Sequence, residues 1–264
     1  MQISVSNLIS HPNPTGLPTP IPPPIVGFKF SIDTRSAGSA ADTFVLPLTA
    51  LGTYNFEVDW GDTSTDTITA WSQSEATHVY DTAGIYTIEC TGTLRVFTFA
   101  GTGDKLKLKE IHKWGGSSLD LAGGSFAFFG CNNLTVSATD SPANVGSVAT
   151  VLYGVGSPTF TGGLSGWDMS NTTSCQMLCY LDSSYNEDIS GWDVSNITTF
   201  FFAFTGTAMS VANYDALLIA WSAQTVQSGV TFSTSAQYTA GGAAAAARTT
   251  LVGKGWTIVD GGSV

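Results

Sequence analysis

The sequence predicts a mainly β protein: a β-sandwich, then a short solenoid, then a small α/β C-terminal cap. Three observations carry that prediction. Apolar and polar residues alternate singly over several short stretches after residue 27, a phrase repeats at a period near 25 residues in the middle, and helical spacing appears only near the end. The composition agrees, with 43% hydrophobic residues, 11% charged residues and 29 Gly. That balance favours short strands and tight corners over long surface helices.

The first element is residues 1–26. Residues 1 to 28 contain no Lys, Arg, Asp or Glu, and they lack the basic start and apolar run of a secretory signal. "HPNPTGLPTPIPPPIV" is Pro-rich, so it is expected to be extended and semi-rigid, without secondary structure of its own. Such a segment is either disordered or laid on a partner.

Residues 27–99 read as the sandwich. Phe28, Phe30 and Ile32 alternate with Lys29, Ser31 and Asp33, and Tyr54, Phe56, Val58 and Trp60 alternate with Asn55, Glu57 and Asp59. These are half-buried strands. Turn signals at Gly61-Asp62 and Thr82-Ala83-Gly84 set off two further strands, expected at 85 to 91 and 94 to 99.

Residues 100–209 read as the solenoid. "LSGWDMSNTT" from Leu164 and "ISGWDVSNIT" from Ile189 are nearly the same text 25 residues apart. Fainter echoes put apolar anchors at Ile111, Val136, Leu164 and Ile189, in steps of 25, 28 and 25 residues. A second element keeps the rhythm: "FFGCNNL" from 128, "LYGVGSPTF" from 152, "LCYLDSSYN" from 178 and "FAFTGTAMS" from 202. A unit this short cannot bury its own apolar face, so several must stack. In such a stack Trp167 and Trp192 are expected to fill corner volume one above the other, with Asn171 and Asn196 bonding to backbone at successive turns.

Residues 210–264 read as the cap. Val211, Tyr214, Leu217, Leu218 and Trp221 fall at helical spacing behind a candidate N-cap, Ser210. A second helix is expected from about Ala240 to Val252, ended by Gly253, and "GWTIVD" supplies a last strand.

Two families are visible in these residues. "VDWGDTST" at 58 to 65, followed by "THVYDTAGIYTIECTGTL" at 77 to 94, resembles the PKD domain, with Thr63 where that family commonly has Gly. The resemblance covers residues 27 to about 95 and implies an immunoglobulin-like sandwich acting as spacer or binding module. "DKLKLKEIHKWG", "FFGCNNLTVSATDSP", "ISGWDVSNIT" and the stretch from Ala212 onward resemble the BspA-like leucine-rich-repeat surface proteins of bacteria. That resemblance implies a leucine-rich-repeat-type solenoid, adhesion at surfaces including phage particles, and no catalytic machinery.

Charge and chemistry narrow the function. At a net charge of −11 and a pI near 4.3, a phosphate backbone is repelled over most of the surface, which argues against nucleic acid. No stretch is long and apolar enough to span a membrane. The acidic cluster Glu57, Asp59, Asp62 and Asp66 is the first place to look for chemistry. Asp59, Asp62 and Asp66 offer hard oxygen ligands for a weak Ca²⁺ site, and paired carboxylates would suit glycoside hydrolysis; the competing reading is turn aspartates on a wet strand face. No other cofactor is expected. Cys175 and Cys179 form a CxxxC pair, a metal half-site on one reading and buried thiols on the other. Lys105, Lys107 and Lys109 fall on one face of a predicted strand, a stripe for an anionic glycan or an acidic neighbour. The run Phe200-Phe201-Phe202-Ala203-Phe204 cannot bury every ring, so Phe200 and Phe201 are candidates for an apolar interface.

Together these lead to the expectation of a non-enzymatic virion surface protein: a capsid decoration, head fibre or tail fibre present in many copies or as a homo-oligomer. Its particle anchor would be the N-terminal segment, through Ile3, Val5, Leu8, Pro18, Pro20, Pro22, Pro23 and Pro24, which would contact other virion proteins. The solenoid would meet a host surface glycan or protein. The alternatives are a secreted bacterial cell-surface adhesin and, third, a carbohydrate-active enzyme.

Overall fold

Single alternation becomes strand wherever one face can be buried, and the first part of the chain follows that rule. The computed structural model describes residues 26–264 apart from 117, 122–124, 143–145 and 161. The expected anchor residues from Ile3 to Pro24 lie outside the described residues. The chain is mainly β, starting with β1 (Phe28–Asp33), β2 (Thr43–Val45), β3 (Thr53–Asp59), β4 (Thr65–Ile68), β5 (Thr77–Val79) and β6 (Ile85–Arg95). In β3, Tyr54, Phe56 and Val58 are buried while every residue between them is exposed.

β6 is one strand of 11 residues where the sequence predicts two. Its pairing with β3 runs unbroken from Asp59↔Glu89 to Thr53↔Arg95, through Phe56↔Gly92. Gly92, at φ +129°, makes this continuity workable: a Cβ there would lie 2.5 Å from the Asn55 carbonyl oxygen. The expected strand at 94 to 99 ends instead at Arg95, because Val96 turns left-handed at φ 67°.

β7 (Leu108–Lys113), β8 (Leu119–Asp120) and β9 (Thr135–Val136) carry the same sheet forward. Its order is β4-β3-β6-β1-β7-β9, with β8 pairing β6, while β2 and β5 form a separate antiparallel pair. β1 lies between β6 and β7 and is antiparallel to both. The predicted division at 99/100 therefore falls within one continuous sheet.

From residue 126 onward the chain forms stacked parallel turns. The N–H groups of Val148, Thr150, Leu152 and Gly154 donate to the carbonyls of Ser174, Gln176, Leu178 and Tyr180; those of Cys175, Met177, Cys179 and Leu181 donate to Thr199, Phe201, Ala203 and Thr205. Phe128 and Gly130 begin the series on Val151 and Gly154. Two bends shape each turn. Phe126, Thr150, Met177 and Phe202 occupy one equivalent position at φ 56°, 60°, 52° and 55°; Gly130, Gly154, Leu181 and Gly206 occupy the other at 74°, 54°, 66° and 80°. Left-handed backbone costs a residue with a Cβ about 1–2 kcal/mol, so the first column holds strain in every turn. Between the bends, two residues per turn face inward: Ala127 and Phe128, Val151 and Leu152, Leu178 and Cys179, Ala203 and Phe204 are all buried.

The repeated phrase forms the opposite part of each turn. Ile111, Leu164 and Ile189 are buried, and Val136, paired with Ile111 across β7 and β9, is half-buried. Trp167 packs edge-on to Trp114 at 5.1 Å, and Trp192 stacks on Trp221 at 6.3 Å. The Trp192 indole N–H donates to the Leu164 carbonyl at 2.9 Å, tying one copy of the phrase to the copy before it. Asn196 donates to the Ser170 carbonyl at 2.7 Å. Threonine adds a column that the sequence did not announce, with Thr198 Oγ1 bonded to the Thr173 carbonyl and Thr173 Oγ1 to that of Gly146.

The stack continues through β10 (Phe200–Phe204), β11 (Thr231–Thr234) and β12 (Thr257–Val259), all parallel, with α1 (Val211–Ser222) and α2 (Gly242–Gly253) as the crossovers. Ser210 caps α1 by accepting from the Asn213 N–H at 3.3 Å. Tyr214, Leu217, Leu218 and Trp221 are the buried residues of α1, and Ala244, Ala247 and Leu251 those of α2.

Candidate functional site

The acidic cluster lies on the β3–β4 hairpin, with Asp62 in its turn. Asp59 accepts from the Gly61 N–H at 2.9 Å and Asp66 from the Trp60 indole at 2.9 Å. Asp62 accepts from the Ser64 N–H and hydroxyl through one oxygen and meets His78 Nε2 at 2.8 Å with the other. Burial alone would raise the Asp62 carboxyl; the donors from Ser64 and His78 outweigh it and hold the group below its ordinary value. His78 stacks on the buried Trp60 at 4.6 Å, and Thr63 takes φ 76°, the left-handed value that glycine adopts freely. Each carboxylate is thus committed to a different donor. Among the described residues no group of three or more His, Cys, Asp or Glu is placed to hold a metal ion. Cys175 and Cys179 are buried free thiols, both pushed up by burial.

The lysine stripe does not form. The chain turns at Asp104–Lys107, with the Lys107 N–H on the Asp104 carbonyl, and strand begins only at Leu108. Lys107 is fully buried. Its ammonium donates to the carbonyls of Thr43 (2.6 Å), Ala40 (2.7 Å) and Ser39 (3.2 Å) and to Ser39 Oγ (2.9 Å). Asp104, also buried, lies 3.9 Å away and accepts from the Ser39 N–H and hydroxyl and from the Val45 N–H. Lys107 belongs to a buried lock between the segment from Ser39 through β2 and the start of β7; Lys105 and Lys109 are half-buried beside it in sequence.

The phenylalanine run divides. Phe200 is fully buried, against the expectation of an interface residue, because it packs into the cluster of Trp221, Phe232 and Trp256. Phe201 and Phe202 are exposed and touch at 4.1 Å. They end a stripe that crosses four turns: Phe126 and Phe129 meet Tyr153, each at 5.3 Å, Tyr153 meets Tyr180 at 5.5 Å, and Tyr180 meets Phe202 at 5.5 Å. Phe126 and Phe129 are each 38% exposed, and Leu181 beside Tyr180 is 53% exposed. The four equivalent segments that carry the stripe, "SFAFFG" from 125, "ATVLYG" from 149, "QMLCYL" from 176 and "FFAFTG" from 201, contain no charged residue in a chain with 20 Asp and Glu. This aromatic face, with the Lys105 ammonium beside Gly130 at its edge, is the candidate interaction surface. Phe126, Phe129, Tyr153 and Tyr180 were not singled out in the sequence, although the aromatic-glycine pairs at 129–130 and 153–154 are its legible trace.

Behind the stripe sits a buried acid. Asp182 is 2% exposed; one oxygen accepts from the Gly156 N–H and the other finds no donor, nor does the buried hydroxyl of Tyr185. Burial pushes the Asp182 carboxyl up to about 7, against an ordinary 3.8. Between those values the folded chain holds a proton that the unfolded chain has released, so stability falls as pH rises from about 4 to about 7 and levels off above. At about 1.4 kcal/mol per pH unit the loss reaches at most about 4 kcal/mol. Denaturant titrations across that range should show the decline in the native chain and a flatter profile in Asp182→Asn; equal slopes would assign the decline to other groups.

The fold and this face together define a mainly β protein whose hydrogen-bonded turns present a line of aromatic side chains. A family model described as "Mycoplasma protein of unknown function, DUF285" matches residues 125–240, the stretch that carries the stripe, α1 and β11. No curated protein and no solved structure matches the chain.

Proposed function

We propose that this is a non-enzymatic, surface-displayed adhesion protein, carried on a virion as a capsid decoration, head fibre or tail fibre. In this reading residues 27–99 form a PKD-like spacer, the repeats form a BspA-like, leucine-rich-repeat-type solenoid ending in an α/β cap, and the uncharged N-terminal segment is the particle anchor. The observation that carries it is the aromatic stripe. Stacked repeats build extended binding surfaces from side chains that recur once per turn, and an exposed apolar patch of this kind marks an interaction site. A host glycan or protein is the outward partner.

A second reading, a secreted bacterial cell-surface adhesin, draws on the bacterial name of the matching family. Deleting residues 2–24 separates the two. The virion reading expects a folded protein with an unchanged unfolding transition that no longer enters particles. Normal incorporation, or localisation of the native protein to the surface of uninfected cells, would overturn it.

A further inference from the structure

We propose that the outward partner of the stripe is a protein segment that sets apolar side chains against the rings and an Asp or Glu against Lys105. This rests on the adhesion reading above and gives the chemistry of its partner. Most cations of this chain are already engaged. Of nine Lys and Arg, Lys29, Arg35, Arg95, Lys107 and Arg248 pair with Glu89, Asp33, Asp120, Asp104 and Asp260. Lys254 is held by the carbonyls of Ser222 and Gln224. Lys109 acts on Asp33, and Lys113 lines a groove with Val26 and Asp140 at the repeated-phrase part of the turn. Among the described residues Lys105 makes no ion pair, although it is half-buried.

Its position ties that free ammonium to the stripe. A side chain at Gly130 would meet Lys105 Nζ at 2.9 Å and Cδ at 3.3 Å, so the lysine lies across the bend that directly follows Phe129. On a protein of net charge −11, an incoming carboxylate is repelled over most of the surface and attracted here. The apolar rings alongside keep water from part of such a pair, which strengthens it.

The rings favour a protein over a glycan. Tyr153 and Tyr180 lie at 5.5 Å and 31°, and Tyr180 and Phe202 at 5.5 Å and 40°. Rings side by side in one plane would sit further apart, so these are offset stacks that turn their faces toward each other. A sugar binds an aromatic by laying its C–H face on an open ring face, and here those faces are taken. Ring edges are left outward, together with Leu181 and Phe201 at 53% and 39% exposure, and apolar side chains of a protein pack against a surface of that kind.

Selection of a random peptide library, displayed on ribosomes, against the immobilised full-length chain tests this. Peptides taken by the native protein should be enriched in Asp or Glu beside Leu, Met or Phe. Lys105→Gln should keep the apolar enrichment and lose the acidic one, and Lys105→Glu should select Lys or Arg instead. An individual peptide selected on the native chain should bind Lys105→Gln about fivefold more weakly, the upper end for an exposed ion pair. That gap should close near 1 M salt, where the screening length is about 3 Å. Phe129→Ser with Tyr180→Ser should select no consensus; if that variant unfolds, Tyr180→Ser takes its place. No acidic enrichment on the native chain, acidic enrichment that survives Lys105→Gln, or a consensus that survives the loss of the rings each overturns the proposal. Binding of a polyuronate in place of peptides overturns it too, and leaves the adhesion reading standing with a glycan partner. A native chain that takes neither peptide nor polyuronate overturns adhesion by this face as well.

Discussion

Replacing Ile189 with Asp is expected to abolish the cooperative unfolding transition of the repeats. Ile189 is 1% exposed, and its carbonyl accepts the Trp192 N–H that starts the turn of the repeated phrase. A carboxylate placed there has no partner and must stay protonated or draw water into the stack, at a cost of several kcal/mol on top of the lost apolar contact. That sum approaches the 5–15 kcal/mol of a typical domain. Neighbouring turns share their hydrogen bonds, so the failure spreads. Near-ultraviolet circular dichroism reads it directly through the buried Trp167, Trp192 and Trp221. The conservative Ile189→Val should cost only about 0.5–1.5 kcal/mol. An Asp variant that keeps the native melting profile would show that Ile189 is not part of the packed column.

The second large effect is expected at Lys107. Changing it to Met keeps the length of the side chain but strips the donor from the carbonyls of Ser39, Ala40 and Thr43 at once. Breaking one partner of a buried charged group typically costs about 3–5 kcal/mol, which for a chain of this size lowers the melting temperature by roughly 10 °C. Calorimetry of Lys107→Met beside Lys105→Met makes the comparison internal, since Lys105 is only half-buried and should shift the transition little. Equal shifts would mean that the lock contributes nothing particular.

Much of the architecture was legible because the signals were periodic. Alternation marked β1 and β3, the 25-residue phrase marked the stacking interval, and the spacing of Val211, Tyr214, Leu218 and Trp221 marked α1 behind Ser210. The candidate site was legible only at one end. Phe201 stood out because three phenylalanines ran together, whereas Tyr153 and Tyr180 were single aromatics in short apolar runs, and only the stacking of turns brings them into one line. Two residues were misplaced because a local pattern was read without the tertiary partners that override it. Lys107 was assigned to a strand face by the alternation of "KLKLKE", yet Asp104 begins a turn there and drives the lysine inward. Phe200 was assigned to the surface by its neighbours, yet the aromatic cluster around Trp221 takes its ring. The left-handed column at Phe126, Thr150, Met177 and Phe202 had no sequence signature, because the usual marks of that conformation are Gly and Asn.

The placement of β1 has a mechanical consequence. The strand is hydrogen-bonded on both flanks, to β6 over six residue pairs from Phe28↔Cys90 to Asp33↔Ile85 and to β7 on the other side, and the Val26 carbonyl is gripped by the Ser118 hydroxyl just before it. A tug on the chain ahead of Phe28 therefore runs along the strand axis and loads those bonds together in shear, so they must fail collectively instead of opening one at a time like a zipper. Because β7 belongs to the sheet and pairs in turn with β9 through Glu110↔Thr135 and Ile111↔Val136, the same pull passes across the sheet from strand to strand, and a tether at the N-terminus would load the sheet before any single hydrogen bond could open alone.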